Sequence, residues 1–118
     1  MEFRQPDAHA VLDSSSELEL DAMPFGVVRL DHAGVVTAYN SAERAGSGLR
    51  PAHVIGRHFF TQVAPCMNTA LVAQRYENEP ELDATLACVL ALRMKRTPVH
   101  LRLLQSATRA NAYLLVER

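Results

Sequence analysis

Four side chains in the middle of this sequence bear groups suited to acid–base or acyl chemistry: the Tyr39 phenol, the Glu43 carboxyl, the Ser47 hydroxyl and the Cys66 thiol. Cys66 ends the run His58 to Cys66, directly after Pro65. A thiolate close to a helix N-terminus gains from the backbone dipole and is lowered in pKa, which suits it to attachment of an acyl group. The ordinary alternative is a small buried hydrophobe among Val63, Ala64 and Pro65. Glu43 has two readings as well. Asn40 followed three residues later by Glu43 fits a capping box, which would turn the carboxylate outward. Turned inward into an apolar pocket, the same carboxyl would be raised in pKa and, as the acid, could donate a hydrogen bond. Tyr39 is either an amphipathic aromatic at a sheet edge or a second hydrogen-bond donor in that pocket. Ser47, between two glycines, reads on its own as loop.

The elements that must position these groups follow from the pattern around them. Phe25–Leu30 and Val35–Tyr39 are apolar and rich in β-branched residues, and Asp31–Gly34 supplies the turn of a hairpin. A helix beginning at Asn40 is cut short by Gly46, Gly48 and Pro51. Brief helical turns are predicted at His53–Gly56 and Arg57–Val63, the latter stopped by Pro65. A longer helix is predicted from Asn68 to Asn78, which would place Cys66 just ahead of its N-terminus. Three strands follow: Leu82–Met94, Thr97–Leu104 and Ala112–Val116. In the first of these Leu86, Cys88, Leu90 and Leu92 alternate with Ala87, Val89 and Ala91, which predicts a strand covered on both faces. Leu12, Leu18 and Leu20 suggest a short amphipathic N-terminal cap over residues 1–20, its helix capped by Asp13 or one of the serines 14–16. Strands from both ends of residues 21–118 then share one antiparallel sheet, with the middle segment over one face.

At 118 residues the chain is one domain by default and long enough for a core without metal or disulfide. A net charge of -1 gives no electrostatic case for nucleic acid or an anionic membrane. No apolar run is long enough to span a bilayer. The stretch from Met1 to Pro6 does not resemble a signal peptide, which predicts a cytoplasmic protein with Cys66 and Cys88 as free thiols. The five histidines, at 9, 32, 53, 58 and 100, form no paired-ligand pattern, so no metal site is expected and haem through His53 or His58 is disfavoured.

The order of two strands, short helices, one longer helix and three strands resembles a PAS domain. The segments Met23–Asp31, Tyr39–Glu43, Val54–Gly56 and Phe59–Cys66 resemble the photoactive yellow protein family. The resemblance implies an α+β PAS fold: a five-stranded antiparallel sheet with short helices over one face and an N-terminal cap. It further implies a 4-hydroxycinnamoyl (p-coumaroyl) chromophore, held as a thioester on Cys66. Its phenolate would take hydrogen bonds from Tyr39 and protonated Glu43, Ser47 would support the tyrosine, and Met94 would assist thermal recovery. Blue light would then drive isomerisation, proton transfer and loosening of the N-terminal region. Two positions depart from the family: Leu49 stands where an arginine is usual, and Met67 follows the cysteine in place of threonine.

Two other classes of function stand beside this one. A chromophore-free PAS module would bind a small apolar ligand or a protein partner, and Leu49 and Met67 favour it by making the pocket more apolar. An enzyme using Cys66 as nucleophile has no histidine placed beside it by any motif. A thiol that is acylated but never turned over is not catalytic, so no enzymatic activity is expected. A separate downstream signalling protein is the expected partner, and a homodimer is plausible.

Overall fold

The computed structural model describes residues 1–92 and 95–118. Met94 therefore lies outside the described residues. The elements are α1 (Ala8–Asp13), α2 (Glu17–Asp21), β1 (Gly26–Leu30), β2 (Val36–Tyr39), α3 (Ser41–Ser47), α4 (Ala73–Asn78), β3 (Leu82–Leu92), β4 (Lys95–Gln105) and β5 (Ala112–Glu117). Between α3 and α4 the chain makes 3-10 turns at Pro51–His53 and Pro65–Met67 and a π-helical turn at Phe59–Val63. The strands form one antiparallel sheet in the order β2-β1-β5-β4-β3. This is the α+β arrangement, a five-stranded antiparallel sheet with short helices, that the resemblance implies.

Alternation along the central strands sets up the two sides of the sheet. Val28 and Leu30 of β1, and Ala112, Leu114 and Val116 of β5, enter one core with Phe59, Phe60 and Met67 from the short helical turns. Val27 of β1, and Tyr113 and Leu115 of β5, enter a second core with Phe3, Leu12, Leu20 and Phe25 from the N-terminal segment. Each Val, Leu, Phe or Met side chain so buried contributes about 1.5–3 kcal/mol. The β1–β2 turn is built by Asp31, whose Oδ1 accepts from the amides of Ala33 and Val35, both at 2.9 Å. Gly34 supplies the positive φ that this turn requires.

Three expectations need correction. The predicted helix over 68–78 is only α4, because Asn68 and Val72 leave the helical region of backbone space. Cys66 consequently sits within a 3-10 turn and not ahead of a helix. Strand β3 is covered on one face only: Asp83, Thr85, Ala87, Val89 and Ala91 are exposed. The N-terminal segment packs on β1, β5 and Leu104 of β4 and stops short of that face. Within the cap, Leu12 and Leu20 are buried while Leu18 is 81% exposed. Ser16 is the serine that caps, in a full capping box with Glu19. Pro98 is accommodated in β4 because it lies beyond the stretch paired with β5, which begins at His100.

Candidate functional site

Asn40 organises the site. Its Oδ1 accepts from the amides of Val27 (2.8 Å) and Glu43 (3.1 Å), and its Nδ2 donates to the carbonyls of Leu20 (2.8 Å) and Phe25 (3.0 Å). One buried amide thereby joins β1, the start of α3 and the end of α2, with every donor and acceptor used. The capping box expected at α3 is half formed. Asn40 caps the helix, but the Glu43 carboxyl does not reach back to it. Glu43 turns inward and is 2% exposed, which decides between the two readings of this residue.

The inward carboxyl meets two partners. Arg118, just beyond β5, donates from both terminal guanidinium nitrogens, Nη1 to Oε1 at 2.7 Å and Nη2 to Oε2 at 3.2 Å. The Tyr39 hydroxyl lies 3.5 Å from Oε2, at the outer limit of a hydrogen bond. Tyr39 donates its stronger bond to Ser47 Oγ at 2.7 Å, and the same oxygen accepts from the Leu49 amide at 3.1 Å. Burial pushes the Glu43 carboxyl above the ordinary carboxylate range; Arg118 and then Tyr39 oppose the shift without cancelling it. Burial also pushes the Tyr39 phenol well up, and the neighbouring Glu43 charge adds to this.

Of the two readings of Cys66, the small buried hydrophobe is the one the structure does not meet, because the residue is exposed. It opens onto a cleft of about 340 Å³ walled by Leu49, Val63, Ala64, Pro65 and Ala91, with Ser47 among the lining residues. That volume is at the low end of the roughly 300–1,000 Å³ typical of small-molecule sites. Ser47 thus belongs both to the thiol cleft and to the Tyr39–Glu43 cluster. Leu49 is half-buried in the cleft wall, and Met67 turns into the core. A separate cavity of about 370 Å³, beside the β1–β2 turn and α4, includes none of the four residues. Cys88 is partly buried against the core. Among the described residues no cluster of His, Cys, Asp or Glu is placed to hold a metal ion.

Sequence reasoning missed three contributors. Arg118 carries no local signal. Gly26 does: a glycine opening a strand often marks a close approach of another group, and a Cβ there would collide with Glu43 Oε1. Gly46 leaves room for the Arg118 guanidinium in the same way. The register explains the meeting, since Gly26 pairs with Val116 and so brings the end of β5 alongside the carboxyl.

A family model described as the PAS fold matches residues 16–116. Photoactive yellow protein from Rhodothalassium salexigens is 29% identical over 121 residues, spanning 100% of this chain and 97% of that one. Photoactive yellow protein from Rhodobacter capsulatus matches a shorter stretch, 48% identical over 46 residues, or 39% of this chain and 37% of that one. Among solved structures, the photoactive yellow protein domain of the sensor histidine kinase Ppr from Rhodospirillum centenum has a TM-score of 0.84 at 32% identity, covering 92% of this chain and 98% of that one. With its sheet order, inward Glu43 and these similarities, the chain belongs to the PAS family as a photoactive yellow protein-like domain.

Proposed function

We propose that this chain is a blue-light receptor domain in which Cys66 carries a p-coumaroyl group as a thioester. The observation that carries the reading is the junction at Ser47: one serine lines the cleft of an accessible thiol and holds the hydroxyl of a buried tyrosine beside a buried carboxyl. These residues fit the group. The thiol is open to an acyl donor, the cleft walls are apolar, and Ser47 of the cleft bonds the Tyr39 hydroxyl of the buried cluster.

Loading is a thiol–thioester exchange with an activated p-coumaroyl thioester. The Cys66 sulfur bonds to the acyl carbon, the bond to the carrier sulfur breaks, and the carrier leaves with the proton from Cys66. When bound, the group supplies absorption of blue light and isomerisation about its double bond. Tyr39 would donate a hydrogen bond to the ligand oxygen by turning its proton away from Ser47, whose hydroxyl would then donate to the phenol oxygen and orient it. Glu43 donates the second bond when it is protonated and is the proton source on the protein side. Asn40 links this cluster to the carbonyl of Leu20 in the cap, which gives a route from a change at Glu43 to the N-terminal segment. Output would pass to a separate signalling protein, with a homodimer as a possible platform. The site has no turnover and so is not that of an enzyme. No described helix is long and apolar enough to cross a membrane, which is compatible with the cytoplasmic setting proposed.

The test is to incubate the protein with activated p-coumaric acid and to follow mass, colour and bleaching. A Cys66 peptide heavier by one p-coumaroyl group, a visible band that bleaches reversibly under blue light, and neither in Cys66→Ala are expected. Unmodified Cys66 with no visible band would rule the reading out. One observation favours a chromophore-free interaction module instead: no buried side-chain nitrogen or oxygen among the described residues lacks a hydrogen-bond partner, so the cluster is complete without a ligand. A colourless protein that binds a small apolar molecule in the cleft would support that second reading.

A further inference from the structure

We propose that Arg118 is a positioning residue of this site: it holds Glu43 as a carboxylate, so that Glu43 becomes a hydrogen-bond donor only when the guanidinium is withdrawn. The inference deepens the reading given above, but its first test does not depend on it.

The argument rests on what faces the Glu43 carboxyl. From beyond β5 comes the Arg118 guanidinium, bonded to both oxygens. From β2 comes the Tyr39 hydroxyl, committed to Ser47 at 2.7 Å and only 3.5 Å from the carboxyl. From β1 comes Gly26, which contributes space and no charge. Arginine keeps its charge throughout the accessible pH range, so one fixed cation is the counter-ion of this buried carboxyl. The fork is bidentate, the geometry in which guanidinium and carboxylate interact most strongly. The Glu43 side chain is 3% exposed and that of Arg118 is 23% exposed. The anion is therefore the sealed member, and the cation is the one that can move out to water. Neither glycine position would admit a side chain without disturbing the pair.

The consequence for ligand chemistry is specific. A carboxylate only accepts hydrogen bonds. With Arg118 in place, Glu43 presents an acceptor that suits a neutral phenol and repels a phenolate. With Arg118 withdrawn, burial favours the carboxylic acid, which donates to a phenolate. Arg118 thereby sets which protonation state of a para-hydroxyaryl ligand the site accepts.

The test is infrared spectroscopy of the ligand-free protein near neutral pH. The carbonyl stretch of a protonated carboxylic acid would be assigned to Glu43 by its loss in Glu43→Gln. The stretch should be missing in the wild type, appear in Arg118→Gln, and stay missing in Arg118→Lys, which keeps the charge. A Glu43 acid band already present in the wild type and unchanged in Arg118→Gln would overturn the proposal. A carboxylate retained in Arg118→Gln would overturn it equally. Failure to load Cys66 leaves this measurement intact, so the two readings fail separately.

Discussion

Each side of the sheet holds an arginine–carboxylate pair with one member deeply buried, and the two are built in opposite senses. On the cap side Arg102 is the buried member at 4% exposure. It makes a fork on Asp83, with both contacts at 2.9 Å, and also donates to the carbonyls of Phe3 (3.0 Å) and Gln5 (2.7 Å). The Asp83 side chain is 53% exposed. On the site side the carboxyl of Glu43 is sealed and Arg118 faces outward. A buried arginine cannot be neutralised at any accessible pH, so Arg102 works as a fastener for the N-terminal segment. A buried glutamate can be neutralised by one proton, so the site-side pair is the one able to change state. The fixed contact lies under the cap, and the titratable one lies beside the thiol cleft.

The largest expected effect tests the fastener. Arg102→Leu removes both bonds to the N-terminal carbonyls and leaves Asp83 to water. It should cost about 3 kcal/mol in urea unfolding. Proteolysis within residues 1–20 should appear at urea concentrations where the sheet still gives its full circular dichroism. An Arg102→Leu protein as stable as the wild type, with an equally protected N-terminus, would mean that apolar contacts alone hold the cap, and the contrast between the pairs would collapse.

A smaller effect is expected on the site side. Gly26→Ala places a methyl group against the Glu43 carboxyl, and the Cβ and Cδ of Glu43 are also too close to yield freely. Overpacking of this kind costs about 1–3 kcal/mol. The gain of up to roughly 1 kcal/mol from replacing a strand glycine offsets part of it. The cap should remain protected from protease in this variant, unlike in Arg102→Leu. Cap release in Gly26→Ala equal to that in Arg102→Leu would show that the two sides are not separable.

The sequence made the fold and the thiol–phenol–carboxyl set legible for different reasons. The β-branched runs of β1 and β2, the Asp31–Gly34 turn and the breakers Gly46, Gly48 and Pro51 are local signals, and the chain obeys them. The inward turn of Glu43 is not local. It depends on the hole left by Gly26 and on Arg118 arriving from 75 positions away in sequence, and no periodicity carries that. The exposure of Cys66 was hidden because an apolar neighbourhood in sequence reads as burial, whereas a 3-10 turn at Pro65–Met67 sends Met67 inward and Cys66 out. Arg102 looked like an ordinary outward residue of an alternating strand; only the N-terminal segment folding over it makes it a core residue.

The smallest effect concerns the sign of the pH dependence on the two sides. On the cap side, Asp13 accepts from Tyr113 (2.8 Å), Arg109 (3.1 Å) and Asn111 (3.3 Å). Partial burial would raise its pKa, but these bonds outweigh it and hold the carboxyl below its usual range. A depressed folded pKa contributes stability that is present above the unfolded value of about 3.9 and is lost as pH falls through the folded value. Glu43, raised in the folded state, does the reverse. Its contribution is complete below the unfolded value of about 4.3 and is lost as pH rises through the folded value. Asp13→Asn should therefore flatten the acid limb of the stability profile, by under about 1 kcal/mol for so partly solvated a group. Glu43→Gln should flatten the limb that falls toward neutral pH and leave the acid limb in place. Urea midpoints measured across pH 3–7 read both limbs in one series. If Asp13→Asn altered the neutral limb, or Glu43→Gln the acid one, the opposite signs assigned to the two carboxyls would be reversed.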